Sequence, residues 1–194
     1  MKRMIISILA VFVVLLGASF ALNETAYRNM QEEHLEILQI LLPSEDGFVM
    51  VPYDGEDANI RSVHKSENGF VVECVTYGYA GDIRMYVAVN NDGNVVGLVV
   101  RDAHETYGLG SRILTDHEFL AQFLNKSGTF EIATHGADAF SGATAEAAAE
   151  GESIQVDGIS GATVSSKAVA RCVSSAAAYV TGADVASSAT TWGG

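Results

Sequence analysis

Asp157-Gly158-Ile159-Ser160-Gly161-Ala162-Thr163-Val164-Ser165-Ser166-Lys167 reads as the end of a strand, a turn of small residues and the start of a helix. The helix is predicted from about Val164 to Val180, because Val164, Ala168, Cys172, Val173, Ala176 and Val180 recur at helical spacing. Gly161 and Ala162 carry almost no side chain, so another group can approach the backbone closely there. Thr163 presents its hydroxyl where a helix begins, beside unpaired N–H groups and the positive end of the helix dipole. Such a helix start attracts phosphate. Ser165 and Ser166 add donors in the first turn, and Lys167 adds a cation. The plainer reading is that Thr163 or Ser160 is only an N-cap, as such residues often are.

Downstream, the chain from Gly182 onward is mostly Ser, Ala, Thr and Gly with one tryptophan, the composition of a flexible tail. Upstream, His135 to Glu152 is rich in Ala, Gly, Ser and Glu and contains Asp138-Ala139-Phe140-Ser141-Gly142-Ala143-Thr144, a second Asp-x-x-Ser-Gly-Ala-Thr run. Before it, Thr129–Thr134 reads as a strand. Thr115-Asp116-His117-Glu118 reads as a capping box with Thr115 at the N-cap, opening a short helix whose Phe119, Leu120, Phe123 and Leu124 face the core. His104-Glu105-Thr106-Tyr107-Gly108-Leu109-Gly110 carries two glycines one residue apart, as a ligand-facing loop needs. It is not a dinucleotide fingerprint, because Ile113 stands where the third glycine would fall.

Phe48–Tyr53, Ile60–His64, Phe70–Tyr77, Ile83–Val89 and Val95–Arg101 are rich in Val, Ile, Tyr and Phe and read as strands. Asn68-Gly69 and Asn91-Asp92-Gly93 supply tight turns, which predicts an antiparallel meander, and Gly78-Tyr79-Ala80-Gly81 marks a further break. Asn23 to Leu42 reads as an amphipathic helix ended by Pro43. Met4 to Leu22 is nineteen residues without a charge. As a helix it spans about 28 Å, enough for a bilayer. Lys2 and Arg3 before it keep the N-terminus in the cytoplasm. A signal peptide cleaved after Ser19-Phe20-Ala21 is the competing reading; both export the rest of the chain.

The 194 residues carry a net charge of −13, and beyond residue 22 nine Lys and Arg face 24 Asp and Glu, leaving −15. That field repels nucleic acid, and no basic patch offsets it. Cys74 and Cys172 match no metal spacing and read as small core residues, with a disulfide as the lesser possibility. The sequence contains no Gly-x-Ser-x-Gly elbow, zinc spacing or P-loop.

Asp-x-x-Ser-Gly-Ala-Thr-x-Ser-Ser at 157–166 resembles the flavinylation motif of the covalent FMN-binding domain. That domain occurs in the G subunit of Rnf-type complexes and the C subunit of sodium-pumping NADH:quinone oxidoreductases. The resemblance implies FMN bound covalently through a phosphoester to Thr163, with Asp157, Ser160, Gly161 and Ala162 as the recognition sequence. It also implies a flavin transferase that uses FAD as donor. Ser165, Ser166 and Lys167 complete the expected cofactor-binding helix start. The run Glu105-Thr106-Tyr107-Gly108-Leu109-Gly110 is similar to the family's Glu-Thr-Pro-Gly-Leu-Gly loop, which lies against the flavin. Glu105, Thr106, Gly108, Leu109 and Gly110 are therefore expected at the cofactor, and Tyr107 replaces proline and loses its φ restriction. Thr144 is a possible second acceptor. Ala145 and Glu146 follow it, however, and set a carboxylate where a phosphate would sit, whereas two serines and a lysine follow Thr163.

The implied fold class is α+β: an N-terminal transmembrane helix (1–22), an amphipathic linker helix (23–43), an FMN-binding domain with a mainly antiparallel sheet flanked by helices (44–181) and a tail (182–194). The implied function is electron relay, without a catalytic centre of its own. It would serve a membrane-bound Rnf-type ferredoxin:NAD oxidoreductase that moves sodium ions or protons. Partners are the other membrane subunits of that complex and lipid around the N-terminal helix, with the FMN domain on the outer face. The alternatives are a free-standing exported FMN carrier or flavin reductase, and a non-redox envelope binding module.

Overall fold

The computed structural model describes residues 32–133 and 153–182. The expected anchor, the start of the linker helix, the Asp138–Thr144 motif and the tail beyond Gly182 lie outside the described residues. Among the described residues no helix is long and apolar enough to cross a membrane. The chain parts into two compact units between Gln39 and Ile40. Residues 32–41 are helical (α1) and Pro43 follows, as its missing N–H requires.

Five strands form one antiparallel meander in sequence order: β1 (Val49–Val51), β2 (Ile60–Ser66), β3 (Gly69–Tyr77), β4 (Asp82–Asn90) and β5 (Val95–Ala103). Each matches an expected strand, with β1 shorter. The β2–β3 turn lies one residue before the expected Asn68-Gly69 pair: Glu67 and Asn68 form it, and Gly69 already pairs with Ser66 and with Asn90. Register sorts the side chains into two faces. Phe70, Val72, Cys74 and Thr76 lie on one, aligned with Val89, Val87, Met85 and Ile83 of β4. Val71, Glu73, Val75 and Tyr77 lie on the other, since alternate residues of a strand point to opposite sides. Two further strands, β6 (Phe130–Ala133) and β7 (Ile154–Asp157), pair in parallel as a separate sheet.

The first face is covered by α3 (Thr163–Thr181). Eleven of its nineteen residues are buried, more than one amphipathic stripe holds, because α3 packs on β3 and β4 and also on β6. Ser, Ala, Cys and Val make that close approach feasible. Ser174 shows how a polar residue survives inside: its hydroxyl donates to Ala170 O at 2.8 Å and accepts from Phe130 N–H at 2.9 Å. Tyr179 meets Phe70 and Tyr53 edge-on at 5.8 Å between centroids. The helix stops at Gly182, left-handed at φ 68°, whose N–H bonds Ala178 O. Expected bounds and observed bounds differ by one residue at each end, and Val164 is exposed rather than on the apolar side.

Between β5 and β6 lie a 3₁₀ turn (Gly110–Leu114) and the short helix α2 (His117–Ala121). The N-cap of α2 is Asp116, not Thr115: its carboxylate accepts from Phe119 N–H at 3.1 Å, while Thr115 closes the preceding 3₁₀ turn. A carboxylate out-competes the neighbouring hydroxyl because it also favours the helix dipole. Phe119, Phe123 and Phe130 stack edge-on at 5.3 and 5.2 Å and tie α2 to β6.

Cys74 and Cys172 are free thiols, fully buried where β3 meets α3. Hydrogen bonding with Cys172, then burial, holds the Cys74 thiol well above the ordinary thiol pKa. A raised pKa favours the protonated form in the folded state. The associated stability is complete below the ordinary thiol pKa and erodes as pH rises above it. Iodoacetamide should therefore leave the native chain unlabelled at neutral pH and label it on unfolding. Rapid native labelling of Cys74 contradicts this packing.

Candidate functional site

Register dictates where the expected site residues gather. Ala103 pairs with Ile83, so the chain leaves β5 beside the 78–81 turn that joins β3 to β4. Helix α3 runs with Tyr179 against Phe70, and the Cys74 thiol lies 3.6 Å from Cys172 O. Its N-terminal turn consequently arrives at the same end of the sheet. Three segments meet there: the 78–81 turn, the 104–110 loop and the 158–162 turn with the start of α3.

Glu105 joins the first two. Its Oε1 accepts from Tyr79 N–H at 2.7 Å. Its Oε2 is buried and has no hydrogen-bond partner among the described residues, and the same is true of Ser165 Oγ in the first turn of α3. Both atoms face Gly110: a Cβ built there would sit 2.5 Å from Glu105 Oε2 and 2.9 Å from Ser165 Oγ. Gly110 is thus required for close approach. Gly108, at φ 78°, is required for backbone conformation, and its N–H bonds Ser111 Oγ at 3.0 Å. Leu109 reaches across to the other turn, where its Cδ2 lies 3.3 Å from the point a Cβ on Gly161 would occupy. Thr106 is exposed, and its carbonyl accepts the N–H groups of Leu109 and Ser111 at 3.2 Å. A third buried oxygen without a partner among the described residues, the hydroxyl Thr76 Oγ1, is on the α3-facing side of β3 two residues before Gly78.

The start of α3 is uncapped. Ala162 occupies the N-cap with no side-chain hydrogen bond, and the first intrahelical bond is Ser166 N–H to Ala162 O at 2.8 Å. The N–H groups of Thr163, Val164 and Ser165 make no bond among the described residues. Neither Thr163 nor Ser160 acts as a cap. Both are exposed, and the Thr163 hydroxyl makes no hydrogen bond among the described residues. Lys167 is exposed one turn on.

Ser165 and Ser166 differ from expectation, because both hydroxyls are turned inward. Ser166 Oγ donates to Ala162 O at 2.9 Å and accepts from Ile159 N–H at 3.0 Å, bracing the turn from inside. Any anion at this helix start meets backbone N–H groups rather than serine hydroxyls. Asp157 is gripped through its backbone: Gln122 Oε1 accepts its N–H at 2.8 Å and Gln122 Nε2 donates to its carbonyl at 3.1 Å. Gln122, Tyr79 and Ser111 carry no sequence signal for this role, because each acts through a backbone group or through register.

Gly110→Ala should cost about 2 kcal/mol, as overpacking of a filled site does. Glu105 is the group that would have to move, and its other oxygen is held by Tyr79. Urea unfolding measures it, and a change within about 0.5 kcal/mol would show that the carboxylate swings freely aside.

Residues 78–178, which span all three segments, match the FMN-binding domain family. The G subunit of an ion-translocating oxidoreductase complex from Methanosarcina acetivorans is 29% identical over 182 residues, 88% of this chain and 88% of that relative. Its counterpart from Haemophilus influenzae strain Rd is 33% identical over 70 residues, 33% of this chain and 34% of its own length. Among solved structures, Shewanella oneidensis NqrC gives a TM-score of 0.43 at 22% identity, over 70% of this chain and 65% of that one. The C subunit of the Na(+)-translocating NADH-quinone reductase of Parabacteroides distasonis gives 0.39 at 21%, over 62% and 60%. With the family's segment covering the loop, both turns and most of α3, the chain belongs to the FMN-binding domain family.

Proposed function

We propose that this chain is a G-type electron-transfer subunit of a membrane-bound ion-translocating oxidoreductase and carries FMN through a phosphoester on Thr163. The observation that carries the reading is the helix start: an exposed threonine hydroxyl beside three N–H groups that make no bond among the described residues, with alanine where a capping side chain would compete. The residues present fit the group. Backbone N–H groups of Thr163, Val164 and Ser165 suit a phosphate, Lys167 adds positive charge, and the dipole of a nineteen-residue helix points the same way. Gly161 and Ala162 keep side chains off the attachment point, with Asp157 and Ser160 on the approach to it.

Attachment would use FAD as donor and a flavin transferase as catalyst: the Thr163 oxygen would form the phosphoester to FMN as the bond to AMP breaks, with loss of the hydroxyl proton. Once bound, FMN supplies the capacity to accept and pass on electrons, which no side chain here has. The chain's own work is to fix the tether and shape the surroundings. Glu105 holds the 78–81 turn to the loop, and Gly108, Leu109 and Gly110 seat that loop on the α3 start, with Thr106 at its bend. Residues 1–22 serve as the membrane anchor and 23–43 as a linker, with domain 44–181 on the outer face, beside the complex's other membrane subunits. Sodium ions or protons would move through those partners, because one span cannot form a path alone. Thr144 remains a second candidate acceptor.

The test is in-gel fluorescence of denatured protein matured with and without a flavin transferase. Emission that survives denaturation only with the transferase is expected. A colourless product from competent cells refutes the attachment.

A further inference from the structure

We propose that Tyr79 and Tyr107 are the aromatic side chains that pack on the isoalloxazine ring of the flavin and quench its emission. This inference rests on the attachment of FMN at Thr163. Tyr107 is 96% exposed and Tyr79 69%, and neither ring contacts another aromatic ring among the described residues. Their positions separate them from the other exposed tyrosine among the described residues. Tyr77, 64% exposed, is on the sheet face away from α3, with Val71, Glu73 and Val75. Tyr79 and Tyr107 instead sit on the two segments that Glu105 joins: its Oε1 bonds the backbone N–H of Tyr79, and it stands two residues before Tyr107.

The same loop reaches the attachment turn through Leu109 at Gly161 and through Gly110 beside Ser165. Tyr107 is therefore two residues from a side chain that touches the turn carrying Thr163, at most about 7.6 Å along the chain. A flavin tethered at Thr163 extends outward from the helix start, and the large apolar side chains exposed on the three segments that meet there are Tyr79, Tyr107, Leu109 and Val164. A planar heteroaromatic ring gains from offset or edge contact with a phenol, and covering an exposed aromatic removes its surface from water. Ser166 Oγ and Glu105 Oε1 are held by the turn and by the Tyr79 amide, while the exposed Ser160, Thr106 and Lys167 offer polar contacts to the phosphate and the ring's edge, so contact with the face of the ring falls to the aromatic side chains.

The experiment compares full-length chain, matured with a flavin transferase, as wild type, Tyr79→Leu, Tyr107→Leu, Tyr107→Phe and the double leucine variant. Emission is read per bound flavin, so partial loading does not affect it. Nitration by tetranitromethane, mapped by mass spectrometry, is run on loaded wild type and on Thr163→Ala. Each leucine variant should brighten the bound flavin several-fold and the double variant more, with Tyr107→Phe between wild type and Tyr107→Leu. Tyr107 should be nitrated several-fold more slowly in the loaded protein, while Tyr77 changes little. Loaded variants as dim as wild type, with equal nitration of Tyr107 in both forms, overturn the assignment and leave attachment at Thr163 intact. Wild type that takes up no flavin removes both readings together.

Discussion

Thr163→Ala yields a folded chain that acquires no fluorescence resistant to denaturation, whereas Thr144→Ala stays fully labelled. Removing the Thr163 hydroxyl leaves the fold nearly untouched, because the side chain is exposed and neither caps the helix nor bonds a neighbour among the described residues. Its stability cost should stay within about 0.5 kcal/mol, the usual range for surface substitutions. Labelling, by contrast, should fall to background, since the ester oxygen itself is gone. Thr163→Ser keeps an oxygen at the same place and should retain part of the label. Loss of fluorescence in Thr144→Ala alone would transfer the attachment to the other motif.

The largest stability effect falls far from that end, in the β2–β3 hairpin. Gly69 has φ 145°, and a Cβ there would overlap Val89 O and stand 2.7 Å from Asn90 Cα. The obstacles are backbone atoms of a central strand in register with β3, so no side chain can rotate away. Gly69→Ala is expected to cost about 3–5 kcal/mol, combining backbone strain with displaced strand pairing. Its melting temperature should drop by roughly 10 °C. Gly47→Ala is the matched control: φ is 77°, and nothing lies within 4 Å of the added carbon. It should lose only about 1 kcal/mol, the cost of the left-handed conformation alone. Equal losses at the two positions would mean that the hairpin opens to admit the methyl.

Much of this domain was legible because its signals are local. Alternating Val, Ile and Phe placed all five strands of the meander, and Asn and Gly residues marked the turns to within a residue. The helix after the Ser-Gly-Ala-Thr turn announced itself by spacing. What escaped was decided by competition or by distance in the chain. Thr115 and Asp116 both suit a cap, and the carboxylate took it. Ser165 and Ser166 look like phosphate donors in a string of letters, but tertiary packing turned both inward. Nothing in Gly78-Tyr79-Ala80-Gly81 foretells that Glu105, 26 residues later, will bond the Tyr79 amide. The parallel pairing of β6 with β7 is likewise invisible to periodicity, which reads strand but not direction.

Helix α3 is clasped along most of its length, and its first residue projects an exposed hydroxyl. A passenger hung on that oxygen would have a fixed pivot: it would swing on its own leash but neither slide nor depart. Donor and acceptor would then have to come within the sweep of that leash, and the separation between redox stations would become a matter of architecture instead of diffusion.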